Sequence, residues 1–228
     1  MIKIIYQDQD ILALSKPAGI ETCDIANDLK KQKIANQIFP AHRLDKNTSG
    51  ILLLAKNEKV LKALQAQFKT RKIIKKYQAL VIGNTPEKGI IEGYLARDPQ
   101  RKKPFIFSNI PVGQNRGKWR WSKSEYKKIR SYNFQKNPLS LLEVKIATGR
   151  THQIRIHLSN IGFPILGDPV YNTKLSKKIS RQIGLHRQFL HSVYLGFTHL
   201  AIEQTISIKD PLSDDLRKIL HYLASLKF

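Results

Sequence analysis

One cysteine, Cys23, stands in 228 residues, so no disulfide can close within the chain. A lone thiol suits a reducing compartment, which points to the cytoplasm. Cys23 itself reads as a small, partly buried residue. No cluster of cysteine and histidine has metal-ligand spacing: His152 and His157 are five apart, which places them on one face of neither a helix nor a strand. A Gly-rich phosphate loop, an internal repeat and a low-complexity segment are all missing. No apolar run approaches the length of a spanning helix, and no strongly amphipathic basic helix is evident. The opening MIKIIYQDQD runs straight into a strand and a turn, unlike a signal peptide. Acid is also scarce. Seventeen Asp and Glu face 40 Lys and Arg, a formal charge of +23. That leaves little material for a glycosidase with paired carboxylates and argues for a polyanionic partner, nucleic acid first.

What is present is a folded chain, with 41% hydrophobic residues and enough length for a real core. Residues 2–14 read as strand, turn and strand, closed by Lys16-Pro17-Ala18-Gly19. Residues 24–36 are polar and helix-compatible. Ile51 to Ala55 is an unbroken apolar run, expected to be a strand buried on both faces. Asn57 is placed to cap a helix with Val60, Leu61, Leu64 and Phe68 at helical spacing. Residues 73–82 read as a strand. Residues 97–130 interleave Lys102, Lys103, Lys118 and Arg120 with Phe105, Trp119, Trp121 and Tyr126, and read as a protruding hairpin or loop pair. Leu141 to Ile146 is a strand. Thr151 is placed to cap a helix with Ile154, Leu158 and Ile161 inward and Gly162 past its end. Residues 172–188 are basic and mostly polar. Two strands (190–197 and 201–208) precede a last helix, capped by Ser213, with Leu216, Ile219, Leu220 and Leu223 as its apolar face. The order predicts an α+β fold with a mixed, largely antiparallel sheet and flanking helices.

Three segments offer chemistry. In His42-Arg43-Leu44-Asp45-Lys46-Asn47-Thr48-Ser49-Gly50, an acid sits among basic residues on a turn beside the buried strand. Positive neighbours favour the ionised carboxylate and attract a phosphate backbone. Asp45 is suited to act as nucleophile or general base, or simply to cap the turn. In Gly149-Arg150-Thr151-His152-Gln153-Ile154-Arg155, the guanidinium of Arg155 suits a distant carboxylate; the same stretch also reads as a solvated helix face with a phosphate-binding start at Arg150. Tyr77, in Lys75-Lys76-Tyr77-Gln78-Ala79, is either a core aromatic or a platform for an extruded base.

These segments, in this order, resemble the RluA-type family of RNA pseudouridine synthases. His42 to Lys56 reads like the family's HRLDKNTSG signature with its following strand and Ala-Lys. Gly149 to Tyr171 resembles its GRTHQIR–HL–IG–PI–GD–Y pattern, and the Lys16-Pro17-Ala18-Gly19 and Leu190-His191-Ser192 segments its first and last strands. The likeness covers nearly the whole chain except 97–140. It implies a catalytic domain over 1–228, without the small basic domain that often precedes it, and with 97–140 as a basic, aromatic-bearing insertion that contacts RNA. It implies that Asp45 begins glycosidic cleavage, that Tyr77 stacks on the target base and assists proton removal at carbon 5, and that Arg155 pairs with Asp45. Arg43 resembles the residue that helps extrude the nucleotide, and Ile154 a wall of the pocket. His42, Arg150, Lys102, Lys103, Lys118, Trp119 and Arg120 are the further RNA contacts expected. For Trp119 and Trp121, base stacking competes with simple packing. Asp168 is expected to be a structural turn residue. The implied enzyme acts on ribosomal or transfer RNA as a monomer and needs no cofactor or metal. Three departures stand out: Gly162-Phe163-Pro164 replaces Gly-His-Pro, His191-Ser192 replaces His-Ala, and 100–130 follows the pattern poorly, as a substrate-selecting element would. A non-catalytic RNA-binding protein on the same fold would have lost Asp45, Tyr77 or Arg155, and a membrane-surface protein would need the amphipathic helix already found wanting.

Overall fold

The computed structural model describes residues 2–31, 37–98, 104–111 and 119–226. In chain order its elements are β1 (Lys3–Gln7), β2 (Ile11–Lys16), α1 (Thr22–Lys31), β3 (Phe39–Pro40), β4 (Ser49–Ala55), α2 (Glu58–Lys69), β5 (Ile74–Ile82), β6 (Lys88–Arg97) and β7 (Phe105–Ser108). There follow β8 (Arg120–Phe134), β9 (Asn137–Ile146), α3 (Gln153–Asn160), α4 (Lys174–Gln182), β10 (Leu190–Thr198), β11 (Thr205–Lys209) and α5 (Asp214–Ser225). The fold is α+β, as the element order predicts. The chain forms two compact units, one of Met1–Lys76 with His191–Ser213, the other of Tyr77–Leu190 with Asp214–Phe228.

In the first unit the strands run β1-β2-β4-β10, with β3 on β4 and β11 on β10. All pairings are antiparallel except β4 with β10, where Ser49 lies opposite His191 and Gly50 opposite Ser192. Every residue of β4 is buried, as its apolar run predicts. Alternation sends Ile51, Leu53 and Ala55 to one face, against Val60 and Leu64 of α2, and Leu52 and Leu54 to the other, against Ile25 and Leu29 of α1. Each such side chain contributes about 1.5–3 kcal/mol by leaving water, which makes β4 a stiff base for the turn that precedes it. The Asn57 side chain caps α2 by accepting from the Val60 amide at 2.9 Å. The helix read over 24–36 begins at Thr22; residues 32–36 lie outside the described residues. Cys23, expected partly buried, is exposed in the first turn of α1, because Ile25, Ala26 and Leu29 form that helix's inward face.

In the second unit the order is β5-β9-β8-β6-β7. Of the two readings of 97–130, hairpin or loop pair, it is antiparallel strand pairing that forms: Phe105–Ser108 pairs with β6. Residues 120–134 form one long strand, bonded to β6 on one side and β9 on the other. Small Ser122 and Ser124 and the ring of Tyr126 alternate inward while charged residues alternate outward, a period-2 pattern masked by the density of lysine and arginine. Trp119 is buried, which favours packing for that ring. The segment 172–188 also hid an element: α4, closed by a capping box between Thr173 and Ser176. Leu216, Ile219 and Leu223 of α5 are buried and Leu220 partly so, and the Tyr222 ring lies 6.4 Å from that of Phe134.

Candidate active site

The turn that carries Asp45 is tied down from several sides. Lys16 is fully buried, and its ammonium donates to the carbonyls of Pro17, Ile20 and Lys46 at 2.8, 2.8 and 3.0 Å. The Gly19 amide reaches the same Lys46 carbonyl at 2.9 Å. The Thr48 amide donates to the Asp45 carbonyl at 2.9 Å, and Thr22 Oγ1 lies 3.3 Å from both the amide and the carbonyl of Leu44. Buried Ser49 meets His191 Nδ1 at 2.8 Å, and Nε2 of that ring lies 3.4 Å from Asp210, which also accepts from Ser15 at 2.6 Å. This framework fixes the backbone of the turn that carries Asp45.

Gly50 makes the close strand pairing possible. Its φ is +109°, and a β-carbon there would lie 2.4 Å from the Ser192 carbonyl oxygen. Asp45 is half-buried and Arg43 and Lys46 are exposed. His42 behaves differently from its place among basic residues. Burial, with the charge of Lys75, lowers its pKa to about 3, and its Nε2 accepts from the Leu53 amide at 3.1 Å. It is a neutral imidazole whose ring lies 5.1 Å from that of Phe68, tilted by 37°, so the positive charge of this turn comes from Arg43 and Lys46. A cavity of about 400 Å³ opens beside it, lined by Glu21, Thr22, Cys23, Pro40, His42 and Arg43.

In the second unit, Tyr77 is a buried strand residue of β5. Arg155 belongs to α3, in which every side chain from Gln153 to Leu158 is buried. Such a helix needs polar anchors. Gln153 supplies them, accepting from Thr148 at 2.7 Å and from the Arg150 amide at 3.1 Å while donating to the Lys123 carbonyl at 2.9 Å. The N-cap is His152, left-handed at φ 57°, without a side-chain bond to the helix; Thr151 is not the cap. Gly162, φ +87°, stands past the far end as expected. Buried His157 has its pKa lowered to about 4 by burial, and its Nε2 meets Ser122 at 2.8 Å.

The guanidinium of Arg155 is held by Asp168: Nε to Oδ2 is 2.6 Å and Nη2 to Oδ1 is 3.0 Å. Asp168 also accepts from the amides of Val170 and Tyr171 at 2.8 and 2.9 Å. Burial opposes the charge on Asp168, but Arg155 and these amides outweigh it and hold the carboxyl below its ordinary value. The Tyr171 ring lies 5.3 Å from the guanidinium carbon, and its hydroxyl meets His152 Nδ1 at 3.1 Å. The turn role foreseen for Asp168 is thus joined by a second one, as the partner that orients Arg155.

Of the other expected RNA contacts, Arg120 and Arg150 are exposed, and Arg150 Nε donates to the Trp121 carbonyl at 3.3 Å. Ile154 is buried. Lys102, Lys103 and Lys118 lie outside the described residues. Sequence reasoning passed over Lys16, Gln153 and the Ser49–His191–Asp210 chain. The available signal was a polar residue embedded in or closing an apolar run, as Lys16 closes Ile11-Leu12-Ala13-Leu14-Ser15. Among the described residues, no group of three or more His, Cys, Asp or Glu is arranged to hold a metal ion, and no helix is long and apolar enough to cross a membrane.

A family model described as RNA pseudouridylate synthase matches residues 10–160. A Chloroflexus aurantiacus protein named an uncharacterized RNA pseudouridine synthase is 39% identical over 182 residues, which is 80% of this chain but only 52% of that protein. The chain therefore spans about half the length of that relative. The Ribosomal large subunit pseudouridine synthase D of Buchnera aphidicola subsp. Schizaphis graminum is 32% identical, with 97% of this chain and 73% of that protein covered. Among solved structures, Human RNA Pseudouridylate Synthase Domain Containing 4 shares the fold, with a TM-score of 0.79 at 23% identity over 97% of this chain and 93% of that one. The match of residues 10–160 takes in both the Asp45 turn and Arg155, and with the Buchnera relative it establishes that the chain belongs to the RluA-type family of RNA pseudouridine synthases, a family of isomerases.

Proposed function

We propose that this protein converts specific uridines of ribosomal RNA to pseudouridine, with Asp45 as the catalytic carboxylate. The observation that carries the reading is the framework around the Asp45 turn: a buried ammonium, a threonine hydroxyl and a buried serine–histidine–aspartate chain hold Lys46, Leu44 and Ser49, on either side of Asp45. So much anchoring suits a group that must meet a reacting atom in one geometry. In the reaction the bond from N1 of uracil to ribose carbon 1 breaks, the base rotates, and carbon 5 bonds to the same carbon. The proton of carbon 5 leaves and N1 gains one, so no atom is gained overall and no electron is transferred. Asp45 begins this by attacking carbon 1 or by taking a proton from carbon 2. Tyr77 stacks on the base and assists removal of the carbon 5 proton. Arg155, whose guanidinium Asp168 orients, completes the set of residues that the family resemblance assigns to catalysis.

The target must leave its stack, which costs a few kcal/mol; the +23 charge offers phosphate contacts that offset it. The name of the Buchnera relative supports ribosomal RNA, and transfer RNA fits the same charge. A cytoplasmic location fits this reading. The test is pseudouridine mapping of total RNA by carbodiimide-dependent reverse-transcription stops, with and without the gene. Loss of one or a few stops, restored by wild type but not by Asp45→Asn, is expected. An unchanged map, together with no product from purified protein on candidate transcripts, would overturn the reading.

A further inference from the structure

Helix α4 presents Lys174, Lys177, Lys178 and Arg181 at spacings that align them on one face, and all four are exposed. None of the four makes an ion pair with any described residue, and residues 172–187 contain no Asp or Glu. This arrangement is costly in isolation. Lys174 repels Lys177 and Lys178, and Arg181 repels the same two. Lys174 also stands in the first turn, where the helix dipole already favours negative charge. Dipole and side chains therefore add to one positive field about 10 Å long.

The opposite face explains why the helix survives. Ile179 and Ile183 are buried, and Ser176 closes the capping box. Ser180 accepts from the Gly167 amide at 2.8 Å and donates to the Ser176 carbonyl at 2.7 Å. Gly167 precedes Asp168, the partner of Arg155. The basic stripe is thus carried on an element pinned to the turn that orients Arg155. Because the apolar face is turned into the protein, this helix has no greasy side to lay into a bilayer.

We infer that the Lys174–Lys177–Lys178–Arg181 face of α4 is a docking surface for the sugar-phosphate backbone of the substrate RNA, outside the nucleotide that reacts. The inference rests on the RNA reading above. It contributes affinity without base readout, as phosphate contacts do. An RNA held there is bound by the same unit that carries Arg155 and Tyr77.

The test compares two full-length variants on a transcript of large-subunit ribosomal RNA: K174Q/K177Q/K178Q/R181Q, and K59Q/K62Q/K69Q/K218Q, which removes equal charge from exposed positions on α2 and α5. The α4 variant is expected to bind at least tenfold more weakly near 0.15 M salt. Its plot of log affinity against log salt should be shallower by about 3, roughly one phosphate contact per cation. The control set should lose clearly less. Equal losses would mean that bulk charge, not this face, is responsible, and an unchanged α4 variant that remains helical by circular dichroism would sink the inference. Acylation of wild-type lysines, read by mass spectrometry, removes dependence on variant folding: bound RNA should protect Lys177 and Lys178 and leave Lys59 and Lys62 reactive, and the reverse would overturn the assignment. If the α4 variant lost binding only to anionic phospholipid vesicles, the partner would be a membrane. Failure of wild type to bind the transcript at all would instead strike the functional reading itself.

Discussion

Arg155 and Asp168 form a buried two-point bridge, with Nε–Oδ2 at 2.6 Å and Nη2–Oδ1 at 3.0 Å, closed further by two backbone amides on the same carboxylate. The pair explains how a guanidinium can be held in an almost fully buried helix. Breaking a buried pair by removing one partner costs about 3–5 kcal/mol. Asp168→Asn should therefore lower unfolding stability by several kcal/mol at neutral pH, measured by urea denaturation. The pH dependence adds a check. The folded pKa of Asp168 lies below its ordinary 3.8, so its stabilisation is present above that value and lost as pH falls through the folded one. The gap between wild type and variant should narrow in acid; a constant gap would assign the loss to packing.

His42 and His157 should stay neutral through the physiological range. Their pKa values, lowered to about 3 and about 4, lie below the ordinary 6.5, so the unfolded chain binds more protons between those limits. Stability should fall as pH drops from about 6.5 toward 3. Nuclear magnetic resonance titration should find both rings silent from pH 8 to pH 5, with His42 protonated on Nδ1, since its Nε2 accepts from Leu53. A His42 midpoint near 6 would remove that assignment.

Asp45→Asn should retain the fold and RNA binding while losing at least about three orders of magnitude in turnover, in line with loss of a nucleophile or base. Tyr77→Phe should bind normally and turn over slowly. Unchanged turnover in the second variant would leave Tyr77 as a core residue; lost RNA binding in a folded Asp45→Asn would undermine the role given to that carboxylate.

Gly50→Ala should be badly tolerated although it adds one methyl group. The left-handed φ and the Ser192 backbone 2.4 Å from the added carbon both oppose it. A loss of more than about 2 kcal/mol is expected, by the same denaturation assay. A near-neutral result would show that β4 and β10 can part at this point without cost.

How much was legible depended on whether the deciding contact was local. The strand Ile51 to Ala55 announced itself, because burial on both faces requires an unbroken apolar run. The Asn57 cap was readable because cap and amide are three residues apart. Asp45, Tyr77 and Arg155 stood out through motif resemblance. The long strand 120–134 and helix α4 were obscured for one reason: a basic surface overwrites the polar and apolar alternation from which elements are read. The partner of Lys16 lies partly 30 residues away at Lys46, and Ser49 meets His191 across 142. No local pattern encodes such pairings. By itself, the sequence determined the fold class, because short-range spacing suffices for the elements, and its motifs carried the resemblance to the family; its charge argued for a polyanionic partner. Only the tertiary structure decided that Asp168 orients Arg155, that His42 is neutral, and that four cations of α4 share one open face. Each of those depends on burial and on neighbours brought together by folding, which set pKa, pairing and exposure.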